Sequence, residues 1–188
     1  MFIDITLEIT ARMMKGESEA KAPLGHMGTH FDVMHKEFPL AYTRREGIVF
    51  DVSRGNVSWG TARDIDVCDV DLTAVGKDMF VIFHTGFIEE VGYAEPGYFT
   101  DHPQLSDTLI DALLDKGVSL IGVDFAGIRR GKEHIPKDQY CADRNVFVIE
   151  NLCNLEAVLA AGGKGLIHTY PMRFAGMTGL PCRVIAEI

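Results

Sequence analysis

Short, unbroken apolar runs constrain this chain more than any other feature. They fall at 78–83 (with Met79-Phe80-Val81-Ile82-Phe83), 118–123, 145–149, 164–168 and 183–188, and Gly47 to Val52 adds a β-branched run. Continuous runs of this length suit strands buried on both faces. Phe2 to Ile9 differs, because Ile3, Ile5, Leu7 and Ile9 alternate with Phe2, Asp4, Thr6 and Glu8, as in a strand with two unlike faces. Two helices are readable. Ser106 caps the first, Leu109, Ile110, Leu113 and Leu114 form its stripe, and Gly117 ends it. Asn154 caps the second, Leu155, Val158 and Leu159 share a face, and Gly162-Gly163 stops it. Each helix precedes a strand and strands outnumber helices, so the expected class is α/β with a large sheet component. No repeat, low-complexity tract or linker interrupts residues 1–188, so one domain is expected.

Charge and composition narrow the function. The chain has 27 acidic and 18 basic residues, a formal net charge of −9, and no run of adjacent basic residues longer than the pairs Arg44-Arg45 and Arg129-Arg130. Such a surface is a poor match for nucleic acid or an anionic membrane. No apolar run approaches the roughly 20 residues of a membrane span, and the N-terminus lacks a signal-peptide pattern. Cys68, Cys141, Cys153 and Cys182 include no CxxC pair, which fits reduced thiols in a cytoplasmic protein.

Three of the seven histidines, His26, His30 and His35, fall within ten positions. His26, His30 and Asp32 have the spacing i, i+4, i+6. Pro23, Gly25 and Gly28 argue against a helix here, and a turn leading into an extended segment can converge the three side chains. Two imidazoles and a carboxylate suit zinc, manganese or iron, although Asp32 could instead orient a histidine from behind. Gly28 permits unusual backbone, and the Thr29 hydroxyl can hold a turn or a ligand.

The segment His26-x-Gly28-Thr29-His30-x-Asp32 resembles the HxGTHxD core of the cyclase family, which includes bacterial kynurenine formamidase. The resemblance extends through Phe83-His84-Thr85-Gly86-Phe87, His102-Pro103-x-Leu105-Ser106 and Gly122-Val123-Asp124. It continues through Ile149-Glu150-Asn151-Leu152-x-Asn154-Leu155 to Gly179-x-Pro181-x-Arg183-Val184-Ile185-Ala186. It implies a swivelling β/β/α fold with a mixed sheet or barrel-like core, and a homo-oligomer, dimer or tetramer. It also implies a divalent-metal hydrolase of amides or lactones of small, often aromatic, molecules. His26, His30 and Asp32 match the family's first metal ligands, Asp32 would bridge to a second ion, and Glu150 matches a late glutamate ligand. One or two ions are therefore expected, zinc first, with manganese or iron as alternatives.

The chain departs from the family pattern twice. The family continues Asp-x-Pro-x-His, the last residue being its proton donor and acceptor; Met34 and Lys36 stand at those positions, and His35 is one residue early. Either His35, redirected by a bulge, or Lys36, with a lowered pKa, is the expected acid–base group. The family also has a histidine twelve residues before the glutamate; Asp138 stands there, with His134 four residues earlier. The leading expectation is attack by metal-bound hydroxide on an amide or lactone carbonyl, with His35 or Lys36 protonating the leaving group. A degenerate member that binds a ligand without hydrolysis, and an isomerase or dehydratase stabilising an enolate, are the alternatives. His84, His102, Asp124 and the loop 86–101 with Tyr93 and Tyr98 are further candidate pocket residues. Phe31, Phe38 and Phe87 read as pocket or core, and Trp59 is the only tryptophan.

Overall fold

The computed structural model describes residues 1–53 and 63–188, so Trp59 lies outside the described residues. Eight strands form one sheet: β1 (Phe2–Asp4), β2 (His30–Asp32), β3 (Arg44–Asp51), β4 (Phe80–His84), β5 (Leu120–Val123), β6 (Phe147–Glu150), β7 (Lys164–Pro171) and β8 (Gly179–Glu187). Their order is β1-β8-β2-β6-β5-β4-β3-β7, and β7 also pairs with β8. That last pairing closes seven strands into a ring. β1 lies beside β8 on the same side as β2, pairing with Ile185 to Glu187 while β2 pairs with Gly179 to Pro181. β3, β4, β5 and β6 run parallel to one another, and β2 and β7 flank them antiparallel. The sheet is mixed and barrel-like, as the resemblance implied. The runs at 78–83, 118–123 and 145–149 became β4, β5 and β6, which are buried on both faces, whereas β7 and β8 keep exposed or half-buried positions.

Alternate residues feed two cores. One draws on every strand, including Ile3, Phe31, Val49, Phe80, Ile82, Leu120, Phe147, Ile149, Ile167 and Val184, as the inside of a closed ring requires. The other packs Val81, Phe83, Ile121, Val123 and Val148 beneath α2 (Phe87–Val91), α3 (Asp107–Asp115) and α4 (His134–Ala142). The remaining helices are α1 (Glu17–Lys21) and α5 (Leu155–Ala160), and α5 covers the first core with Leu155 and Val158. Phe31 and Phe87 are fully buried core residues, and Phe38 packs on Phe31 at 4.5 Å between ring centres. No helix among the described residues is long and apolar enough to cross a membrane.

The cap at Ser106 forms as expected, its hydroxyl accepting from the Leu109 amide at 3.0 Å. Asn154 marks the start of α5 but caps it differently. Its backbone is left-handed (φ +55°), and its side-chain amide donates to the Asp4 carbonyl instead of receiving a helix N–H.

The turn before β2 is seated by glycine. Gly25 has φ +85°, and a Cβ there would lie 2.0 Å from the carbonyl oxygen of Gly179. Gly25→Ala is therefore expected to destabilise the fold by about 2 kcal/mol or more, through both backbone strain and collision with β8. Denaturant unfolding checks this; a midpoint equal to the wild type would contradict the tight seat.

Candidate metal centre

Strand register assembles the first half of the site. His30 and Asp32 share one face of β2, and His30 sits directly opposite Glu150 of β6. Phe31, between them, points into the ring. His26 is not on the strand. It arrives from the turn after a 3-10 segment, Ala22–Leu24, that contains Pro23. The three side chains converge: His26 Nδ1 lies 2.8 Å from Asp32 Oδ1 and 3.2 Å from His30 Nε2, and His30 Nε2 lies 3.6 Å from Asp32 Oδ1.

Both imidazoles are aimed from behind. His30 Nδ1 donates to the Gly28 carbonyl at 2.8 Å, which leaves the Nε2 lone pair facing the cluster. The far nitrogen of His26, Nε2, is 2.8 Å from the Thr178 hydroxyl. The Gly28 carbonyl also accepts from Asn151 Nδ2 at 2.8 Å, and Asn151 Oδ1 accepts from the Tyr98 hydroxyl at 2.7 Å. Tyr93 bonds the Gly28 amide, and the Thr29 hydroxyl donates to the Asn151 carbonyl at 2.7 Å. Tyr93, Tyr98 and Thr29 thus hold the loops that present the histidines. These positioning roles go beyond what residue spacing reveals, although Asn151 follows Glu150 in the motif.

The second half comes from α4. Asp138 is buried and His134 stands one turn before it on the same face. His134 Nε2 lies 3.1 Å from Asp138 Oδ2 and 2.9 Å from Glu150 Oε1, and Glu150 Oε2 lies 3.6 Å from His30 Nε2. Two donor sets therefore share Asp32: His26, His30 and Asp32, and Asp32, His134, Asp138 and Glu150. Within each set the donor atoms lie within 4.8 Å of one another. The structure brings together all five expected ligands and adds His134, whose signal was its i, i+4 spacing to Asp138.

His35 and Lys36 are not brought into this cluster. Their chain turns away immediately after β2: the Val33 and Met34 amides both donate to the Thr178 carbonyl, and Met34 is left-handed (φ +55°). His35 Nδ1 meets Gln139 Oε1 at 2.9 Å and is mostly exposed. Lys36 Nζ lies 3.7 Å from Asp143 Oδ1.

The electrostatics favour a cation. Asp32, Asp138 and Glu150 are all buried. Burial raises the Asp32 and Asp138 carboxyls, and the neighbouring carboxylates raise them further. Burial would raise Glu150 too, but His134, with help from Asp32 and His26, holds Glu150 low. Burial opposes protonation of His134, yet Glu150 and Asp138 push it up to about 11. Burial pushes His30 down to about 4, so its imidazole is neutral and free to ligate. Asp32 Oδ2 and Asp138 Oδ1 are buried with no hydrogen-bond partner among the described residues. Buried carboxylate oxygens without partners are costly, and a divalent ion is the partner that N/O donors of this kind fit.

Asp124 caps a loop. Its carboxylate accepts from the amides of Thr85 and Gly86, both at 2.7 Å, and from the Thr85 hydroxyl at 2.6 Å. His102 stacks on Phe125 at 5.6 Å and burial lowers it to about 3. A group lowered on folding refuses a proton that the unfolded chain takes up. Its contribution to stability is complete above about pH 6.5 and is lost as pH falls toward 3. In unfolding titrations His102→Gln is expected to flatten this fall by on the order of 1 kcal/mol per pH unit. An unchanged slope would contradict burial of the neutral ring.

Solved structures share this fold. Isatin hydrolase A from Labrenzia aggregata, bound to benzyl benzoate, superposes with a TM-score of 0.74 at 15% identity, over 99% of this chain and 93% of that one. Isatin hydrolase A from Ralstonia solanacearum gives 0.72 at 20% identity, over 99% and 91%. A predicted metal-dependent hydrolase from Bacillus stearothermophilus gives 0.69 at 19%, over 99% and 97%. At these identities the likeness is one of fold. A comparison with curated proteins gave no match. Residues 3–129 match the family described as "Putative cyclase", a span that holds His26, His30 and Asp32 and stops before α4. With most of its length matched and the family's histidine–aspartate core gathered at one point, this chain belongs to the cyclase family.

Proposed function

We propose that this protein is a metal-dependent hydrolase that opens an amide or lactone bond in a small, ring-bearing molecule. Asp32 carries the reading: it is buried, shared by both donor sets, and keeps one oxygen without a partner. His26, His30 and Asp32 would hold one divalent ion, zinc by preference and manganese or iron as alternatives. Such an ion acidifies a coordinated water and polarises a carbonyl.

The chain's own groups supply the rest. Asp32 sets the negative charge of the ion site, and the Gly28 carbonyl keeps His30 in the tautomer that ligates. Asp32, His134, Asp138 and Glu150 would hold a second ion where one binds; with a single ion, a protonated His134 would balance Glu150 and Asp138 instead. In that one-ion state His134 would pass a proton to the leaving nitrogen or oxygen as the bond breaks, giving up the Nε2 contacts to Glu150 and Asp138 that hold it beforehand. That assignment replaces the family's absent acid–base histidine. Isatin hydrolases share the fold, and isatin is a cyclic amide, which favours a ring-opening substrate over an open-chain formamide.

A panel of cyclic amides, lactones and N-formyl aromatic amines tests this. Turnover of a ring substrate is expected, abolished by a chelator and restored by zinc or manganese. Turnover that survives complete chelation would refute the metal-dependent reading. Metal-loaded protein inert to the whole panel would favour a binding protein.

A further inference from the structure

A second donor cluster stands on the same edge of the sheet. Each of the four parallel strands ends at an ionisable residue: Asp51 closes β3, His84 closes β4, Asp124 follows β5, and Glu150 closes β6. Glu150 belongs to the centre described above. The others gather with Glu89 of α2. One ring nitrogen of His84 and one carboxylate oxygen each from Glu89 and Asp124 lie within 4.8 Å of one another.

His84 is the telling member. It is 4% exposed, and among the described residues neither ring nitrogen has a hydrogen-bond partner. Its ionic neighbour Asp51 places Oδ1 3.5 Å from Nδ1, long for a hydrogen bond. An imidazole buried without hydrogen-bond partners is costly unless something else binds it. Asp124 is fully buried, and its three hydrogen bonds, all from Thr85 and Gly86, orient it without supplying charge. Burial pushes its carboxyl up to about 6. Glu89 and Asp51 are exposed, so the cluster opens to solvent on their side. Glu89 gives Oε1 to the Asn154 amide and keeps Oε2.

We propose that His84, Glu89 and Asp124 form a second divalent-cation site, with Asp51 beside it. One imidazole with carboxylates suits zinc or cobalt(II). Two strand spacings, roughly 10 Å, separate β4 from β6, so this ion is distinct from the one at His30. It would clamp the ends of β4 and β5 to α2, and its role is structural.

The test uses the metal-free full chain and zinc alone, read by titration calorimetry and by melting. The wild type is expected to bind two equivalents. His84→Ala is expected to bind one, and Glu89→Gln, at an exposed position, to weaken one equivalent roughly tenfold or more. His26→Ala/His30→Ala is expected to keep one equivalent, with a melting temperature that still rises with zinc. Unchanged stoichiometry and affinity in both His84→Ala and Glu89→Gln would overturn the second site. So would a folded His26→Ala/His30→Ala protein that binds no zinc. Failure of the hydrolase reading would instead appear as absent turnover, with these zinc equivalents intact.

Discussion

Asp32→Asn is expected to lower turnover by at least about a thousandfold and to remove the metal. The ion supplies several kcal/mol of transition-state stabilisation, and each 1.36 kcal/mol is about tenfold in rate. Asp32 is the one side chain common to both donor sets, so an amide there weakens the whole centre. The same substitution is expected to leave the metal-free fold as stable as the wild type, or more so. Without an ion, burial and then Glu150 raise the Asp32 carboxyl, and burial, Asp32 and Glu150 together raise Asp138, all three being buried. Neutralising one relieves that repulsion. Activity lost while the metal-free melting temperature holds or rises is the signature of a site whose burden is accepted for function. A metal-free Asp32→Asn protein that melts well below the wild type would mean that Asp32 is structural.

His134→Ala carries the second large effect. It leaves Glu150 and Asp138 buried without their nearest positive partner, and breaking a buried pair from one side costs about 3–5 kcal/mol. Loss of the proton donor is expected to reduce turnover by about 10²–10⁴-fold. His134→Gln separates the two contributions. It can still hydrogen-bond Glu150, so most of the stability is expected to return, but it carries no transferable proton, so the rate is not. His35→Ala and Lys36→Ala are expected to change turnover by less than about fivefold. Their contacts to Gln139 and Asp143 are surface contacts, and exposed pairs are worth at most about 1 kcal/mol. Steady-state kinetics on the four variants ranks them. A larger loss in Lys36→Ala or His35→Ala than in His134→Gln would return the acid–base role to the segment after β2.

The sequence revealed the fold unevenly, for physical reasons. The runs at 78–83, 118–123 and 145–149 mark β4, β5 and β6 because strands covered on both faces must be apolar throughout. The convergence of His26, His30 and Asp32 was also legible, since a turn followed by an even spacing leaves few other outcomes. Helix α4 was not legible. Its buried face carries Asp138, Cys141 and Ala142, with His134 one turn earlier, while Ile135 is 68% exposed. A helix that lids a polar centre lacks the apolar stripe by which helices are recognised, and His134 went unassigned with it. Strand alternation does not reach His35 and Lys36, because β2 ends at Asp32 and the left-handed Met34 breaks the pattern. Closure of the ring through β7 and β8 depends on pairing between strands, which no local pattern encodes.

Anomalous scattering from a zinc-loaded crystal tests the central claim most directly. The account predicts an ion bound by His26 Nδ1, His30 Nε2 and Asp32, with the His134 ring between Glu150 and Asp138. Zinc-loaded protein with no peak among His26, His30 and Asp32 would contradict it.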